Sequence, residues 1–260
     1  MNVYYPWIRG AQANVNFVAG YDFKSYLNLT SNPYAIISRY NENNIYAGLS
    51  GNYFDANLNG ALTYWSINGV LGNLNIGEPS QYATDIQTAN IDGSFQKLTF
   101  NYNRYQNIDP NISTLLISLS GQLSNNNLSS SEQFYLGGPY GVRAYPVSQS
   151  GGAQGYIFTL EYQHKIPEYD STLIAFFDTG RVQQYINTWN NWQGLTNADN
   201  IYSLSGWGFG IKWAYDKYQI NAYLAFPIGN NPLYSNTGQQ VNADNRQLNP
   251  QGWIQAVMYF

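Results

Sequence analysis

Hydrophobic and polar residues alternate along several segments with the period of two that is typical of a β-strand. The clearest is 155–166, where aromatic and aliphatic residues share one face and the other face carries Thr159, Glu161, Gln163 and Lys165. The same alternation is present at 93–106, 114–122 and 202–215. Each segment therefore predicts a strand with one apolar face and one polar face.

Less regular alternation predicts six more strands, for a total of ten, at 13–28, 44–54, 57–68, 171–184, 218–227 and 251–260. The predicted connections alternate in length. Short turns are expected at 55–56, 107–111, 167–170 and 216–217. Long loops rich in Asn, Ser, Gly and Pro are expected at 29–43, 69–92, 124–154, 185–200 and 228–250. Outer-membrane barrels have this alternation, because their periplasmic turns are short and their external loops are long.

The composition supports a membrane β-barrel. Charged residues make up 10% of the 260 residues, against about 25% in an ordinary soluble domain. Aromatic residues make up 17%, which excludes a disordered chain. The mean hydropathy is -0.38 and no apolar run of about 20 residues occurs, so membrane-spanning helices are excluded. A barrel fits both observations, because only alternate residues of each strand meet lipid.

Other kinds of chemistry find little support in the sequence. Cysteine is absent, and His164 is the only histidine, so a thiolate or histidine metal cluster is excluded. No carboxylate pair has a hydrolytic spacing, and we expect neither an enzyme nor a cofactor. The net charge is -4 with scattered basic residues, so nucleic acid is not an expected partner.

The most informative stretch is 121–146, GQLSNNNLSSSEQFYLGGPYGVRAYP. It resembles the signature of the TpsB family, the outer-membrane transporters of two-partner secretion. The similarity continues through 92–98, 155–161, Phe177-Asp-Thr-Gly180, Ala225-Phe-Pro-Ile-Gly229 and the terminal Phe260. It thus covers nearly the whole chain, with the motifs in the family's order.

The resemblance implies a transmembrane antiparallel barrel of 16 strands, preceded by two periplasmic POTRA domains. It also implies that the loop at 124–154 lies between the eleventh and twelfth strands and folds back into the pore. Residues 1–260 would then be the C-terminal part of the barrel, about strands six to sixteen, with Met1–Gly10 a remnant of the sixth. The POTRA domains would be absent from this chain, whose N-terminus has no secretory signal.

The resemblance also assigns site residues. The functional loop motif is Gly137, Gly138, Gly141, Val142, Arg143, Tyr145 and Pro146. Its arginine is expected to pair inside the barrel with Asp178 of a Phe-x-Asp-x-Gly motif, formed by Phe176, Asp178 and Gly180, and Glu161 is a second acceptor. Ala144 stands where the family usually has Gly, which puts the tightness of the turn in doubt. Without the resemblance, Arg143 on an external loop and Asp178 on a pore wall remain the simpler interpretation.

Two further features of the chain have competing interpretations. The glycines at 137, 138 and 141 suit a loop that doubles back, whereas a phosphate-binding loop would need a following helix and Lys. Phe260 ends a final strand and resembles the C-terminal signal for barrel insertion, although any β-protein can end in Phe.

The expected function is passage of an unfolded, TpsA-like exoprotein (an adhesin, a haemolysin or a contact-dependent toxin) across the bacterial outer membrane. The other expected partners are outer-membrane lipid and the barrel-assembly machinery. Three alternatives stay open: an assembly factor of the same superfamily, a general diffusion porin, and a lipid hydrolase built on a barrel. The hydrolase would need a Ser-His or similar constellation, which we do not find.

Overall fold

A computed structural model describes residues 2–194, 199–231, 234, 237–247 and 250–259. Its main feature is one antiparallel sheet of eleven strands. They are β1 (Asn2–Arg9), β2 (Ala13–Ser31), β3 (Tyr34–Asp55), β4 (Ala61–Ile76), β5 (Gly93–Asp109), β6 (Ser113–Ser124), β9 (Gln154–Ile166), β10 (Ser171–Gln183), β11 (Ile201–Tyr215), β12 (Tyr218–Ile228) and β13 (Gln251–Met258). Two short strands, β7 (Phe134–Tyr135) and β8 (Gly151–Gly152), pair separately.

Each strand of the main sheet pairs with its neighbour in the chain, and β6 pairs directly with β9 across the long connection between them. One α-helix, α1 (Pro79–Asp85), lies between β4 and β5, and 3₁₀ turns occupy Asn57–Asn59 and Pro167–Tyr169. Among the described residues, no helix is long and apolar enough to cross a membrane.

The alternation of faces is confirmed. Large apolar side chains on the outer face stay exposed, including Leu160, Phe209, Ile211 and Leu224. Their sequence neighbours point to the opposite face, where Glu161 and Asp178 are buried. The outer face therefore presents a continuous apolar surface of the kind that meets lipid.

The predicted loop at 29–43 is wrong, because β2 and β3 extend through it and leave only Asn32 and Pro33 as a turn. Its Asn, Ser and Pro residues suggested a loop. Cross-strand pairing outweighs that composition, as the rings of Tyr26 and Tyr40 stack at 4.7 Å.

Three other boundaries differ from the prediction. Ten strands were predicted beside a remnant at Met1–Gly10; Asn2–Arg9 of that stretch form the eight-residue strand β1, which pairs with β2 and makes the eleventh strand of the sheet. Residues 57–59 form a 3₁₀ turn, and β4 begins at Ala61 and runs to Ile76, into the predicted loop at 69–92. Phe260, the expected insertion signal, lies outside the described residues.

The connection at 125–153, called the inserted loop from here on, fixes the curvature of the sheet. Glu132 contacts Lys24 on β2, and the carbonyl oxygen of Arg143 accepts a hydrogen bond from Trp253 on β13. β2 and β13 are nine strand steps apart, which is about 43 Å across a flat sheet. Since the loop folds back on itself between Glu132 and Arg143, the sheet must curve around it.

Candidate functional site: the inserted loop

The tip of the inserted loop, residues 136–146, is a compact double turn. The amide of Val142 donates to the Leu136 carbonyl at 2.7 Å, and the amide of Gly138 donates to the Tyr145 carbonyl at 3.0 Å. Gly138 has a φ of +111°, and a Cβ on Gly141 would collide with the Leu136 carbonyl. The tip therefore needs glycine at both positions.

Arg143 projects from this tip onto β10. Its Nε donates to Asp178 Oδ2 at 2.9 Å, and its Nη2 donates to Asp178 Oδ1 at 3.0 Å. The backbone amide of Arg143 also donates to Asp178 Oδ2 at 3.1 Å, and Thr159 donates to Oδ1 at 2.9 Å. Asp178 is fully buried, so its carboxylate is satisfied entirely by protein groups.

The second acceptor of Arg143 is Glu161 on β9. Arg143 Nη1 donates to Glu161 Oε2 at 2.6 Å, and Lys212 Nζ lies 3.8 Å from Oε1 of the same carboxylate. The guanidinium carbon sits 3.5 Å from the centroid of the Phe176 ring. Burial alone lowers the pKa of Arg143, but Asp178 and Glu161 outweigh this effect and raise it. Two cations thus face two buried carboxylates, and one of these cations, Lys212, is 36% exposed.

Ala144, which stands where the family motif usually has Gly, fits against the facing strand β11. Ala144 is fully buried, and it packs directly over Gly206 of β11, where a Cβ would collide with the Ala144 methyl group. Ala144 is not among the residues with positive φ. An alanine at position 144 therefore leaves the turn intact, because Gly206 on the facing strand has no side chain and leaves room for the methyl group.

An apolar cluster on the inner face of the sheet supports the tip. Val142 and Tyr145 from the tip pack with residues of four strands: Ile157, Ile174, Phe176, Val182, Leu204 and Ala225. Burial raises the pKa of the Tyr145 hydroxyl to about 12. Sequence reasoning missed this cluster because it expected a polar inner face. The signal was present in β10, where Ile174, Phe176 and Val182 alternate with outer apolar residues, as in a strand covered on both sides.

A second external segment closes over the C-terminal limb of the inserted loop. Gln149 is fully buried, and its Oε1 accepts a hydrogen bond from the amide of Ala243 at 2.5 Å. Its Nε2 donates to Asn231 Oδ1 at 3.4 Å. Asn231 and Asn242 are also buried and bonded to each other. The connection between β12 and β13 is therefore tied to the inserted loop through amide side chains.

We expect Gln149→Ala to loosen this connection without undocking Arg143. The change leaves buried polar groups without a partner, which costs about 1–3 kcal/mol. Hydrogen exchange of residues 237–247 should become faster, while residues 136–146 keep their protection. If residues 237–247 keep the protection that they have in the parent protein, or if residues 136–146 lose theirs as well, Gln149 has no local role.

The structure brings most of the predicted site residues together. Residues 141–146 are all buried, and Arg143 meets Asp178, Glu161 and Phe176. Gly180 lies under the loop, where a Cβ would reach the Leu136 side chain at 2.8 Å. Their roles in function stay predictions. His164 contacts Ser113 at 3.0 Å on the outer face, away from the inserted loop.

An antiparallel sheet with an apolar outer face, curved around an inserted loop, defines a transmembrane β-barrel. The model of the family described as "Haemolysin secretion/activation protein ShlB/FhaC/HecB" matches residues 2–213. The chain therefore belongs to this family of outer-membrane proteins.

The chain is also similar to individual proteins and solved structures. The heme/hemopexin transporter protein HuxB of Haemophilus influenzae is 26% identical over 225 residues, which cover 84% of this chain and 36% of HuxB. The solved structure of CdiB from Escherichia coli superposes with a TM-score of 0.71 at 15% identity, covering 99% of this chain and 44% of that chain. CdiB from Acinetobacter baumannii gives a TM-score of 0.50 at 12% identity, covering 99% of this chain and 50% of that chain. The chain thus spans about a third of the length of the curated relatives that it matches.

Proposed function

We propose that this chain forms the conducting part of a two-partner secretion transporter, through which an unfolded exoprotein crosses the outer membrane. The observation that carries the proposal is the inserted loop, which is fixed to the inner face by Arg143 through two buried carboxylates. A loop held by a few ion pairs can move aside when a polypeptide arrives and return afterwards.

The inner face below the tip suits an extended polypeptide. A cavity of about 620 Å³ lies there, lined by the amide side chains of Gln219, Asn221 and Gln255, by Tyr140 at the tip and by the charged groups of Arg143, Glu161 and Lys212. The amides offer exchangeable hydrogen bonds to a passing backbone, and the charged groups are paired with one another. In this proposal no nucleotide, metal or catalytic step takes part.

The family barrel provides the context of the proposal. Five strands, β9 to β13, follow the inserted loop, and the eleven strands would correspond to strands six to sixteen of a 16-stranded barrel. POTRA domains of the same transporter would receive the exoprotein in the periplasm. Contacts with outer-membrane lipid and with the barrel-assembly machinery during insertion belong to the same proposal.

The deciding experiment expresses the full-length protein together with a candidate exoprotein, a large secreted protein sought among the products of the neighbouring genes. We expect the exoprotein to reach the medium only when the transporter is present, and to remain in the periplasm without it. Retention of the exoprotein in both strains would overturn the proposal.

Two alternatives predict other results in the same strains. A diffusion porin would give fast sugar flux in liposome swelling with no effect on the exoprotein. An assembly factor would lower the amounts of other outer-membrane proteins when it is deleted.

A further inference from the structure

The inserted loop has a second attachment, which lies outside the functional loop motif at 137–146. It is centred on Glu132, whose side chain is 4% exposed. Its carboxylate forms an ion pair with Lys24 on β2, and Lys97 Nζ on β5 lies 2.6 Å from Oε2. Asn44 on β3 donates to Oε1 at 3.2 Å. One acidic side chain of the loop thus ties together β2, β3 and β5, which lie in the N-terminal half of the sheet, whereas Asp178 lies on β10 in the C-terminal half.

The backbone at Glu132 is held as firmly as its side chain. Its carbonyl oxygen accepts hydrogen bonds from Gln122 Nε2 at 2.9 Å and from Lys97 Nζ at 3.2 Å. The preceding Ser131 donates to Glu42 Oε2 at 3.2 Å. Side chains from β3, β5 and β6 therefore fix this limb of the loop at several atoms.

Acidic and basic groups of the cluster lie close together. Glu42 is fully buried and lies 3.5 Å from Lys24, so two carboxyl groups face two ammonium groups. Burial opposes ionisation of Glu132, but hydrogen bonds with Glu42, Lys24 and Lys97 outweigh it and lower the pKa of Glu132 to about 2. Glu132 is therefore ionised at neutral pH. Removing its charge would leave Lys97, which is 11% exposed, without a carboxylate among its contacts.

We propose that Glu132 is a positioning residue for the inserted loop: it anchors the N-terminal limb to β2, β3 and β5, so that the tip delivers Arg143 to Asp178 and Glu161. Eleven positions separate the two anchors, and the double turn lies between them. With both ends fixed the loop has one path across the inner face. With Glu132 released, the tip keeps only the Arg143 contacts and its apolar packing. This inference rests on the proposed function for its role in export, but not for its role in docking.

The test uses the full-length transporter, purified and reconstituted in planar lipid bilayers. Residues 1–260 contain no cysteine, so once any cysteine elsewhere in the full-length protein is replaced by serine, a spin label on Tyr140→Cys, a side chain that is 87% exposed, reports the mobility of the tip alone. We expect Glu132→Gln to raise the mobile fraction of the label. The open-channel occupancy should rise at least about tenfold, because a buried cation loses its partner. Lys165→Glu, a charge reversal on β9 away from the loop, is the control and should change neither.

A charge exchange separates positioning from general destabilisation. Glu132→Lys should open the channel strongly, and adding Lys97→Glu should restore most of the closed state. The inference is wrong if Glu132→Gln leaves label mobility and open occupancy within about twofold of the parent protein. It is also wrong if the double variant is no better than Glu132→Lys alone. If these variants behave as expected but no exoprotein is exported, the anchor stands and the proposed function fails.

Discussion

Replacing Arg143 by alanine is expected to reduce export of the exoprotein at least about tenfold while the barrel still inserts into the outer membrane. The change leaves Asp178 without its main partner and Glu161 with only the Gln163 amide and a distant Lys212. Breaking a buried ion pair by removing one partner costs about 3–5 kcal/mol. We therefore expect the tip to leave its site, so that the loop can no longer return to a docked position between export events.

Arg143→Lys tests the geometry of the same site. A lysine keeps the charge but cannot bridge Asp178 and Glu161 with parallel hydrogen bonds, so export should be intermediate. Arg181→Ala removes an exposed arginine from the end of β10 and is the matched control. The measurements are the amount of exoprotein in the medium and the amount of folded transporter in outer-membrane fractions. Normal export by Arg143→Ala would refute the docking role.

The second large effect is expected from Gly206→Ala, which should displace the tip by adding one methyl group. The new Cβ would collide with the Ala144 methyl and would lie 3.1 Å from the Phe226 carbonyl oxygen. Overpacking of this kind costs about 1–3 kcal/mol. Backbone amides of residues 136–146 should lose protection against hydrogen exchange, and export should fall with them.

The complementary change should restore docking. Ala144→Gly in the Gly206→Ala background moves the methyl group from the loop to the strand and keeps the total volume. The double variant should regain protection and most of the export. Gly69→Ala is the control, because a Cβ at that outward-facing position has its nearest atom at 3.8 Å. If the double variant is as weak as Gly206→Ala, the contact with Ala144 is not the cause.

The sequence predicts the contacts of the two anchors, Arg143 and Glu132, unequally well. The Arg143 pairing followed from a family motif and could be named in advance. The Glu132 cluster joins residues 108 positions apart, Lys24 and Glu132, and no motif connects them. The sequence shows four separate charged residues, and only the path of the loop brings Glu132 to Lys24, Glu42 and Lys97.

The sequence alone determined the strand class, the two faces, most turns and the position of the inserted loop. Period-two alternation is a local property of an extended backbone, so it can be recognised without any knowledge of the fold. Local composition was insufficient at 29–43, where a cross-strand stack between Tyr26 and Tyr40 extends the hairpin.

Tertiary structure alone decided the partner of each buried charge, the apolar cluster under the tip and the match of Ala144 with Gly206. These contacts depend on strand register and on the curvature that brings β2 and β13 to one loop. Register is set by many pairs acting together, and a shift of one residue would turn Asp178 to the lipid face. The chemistry of the site therefore arises from the curvature of the sheet around the loop.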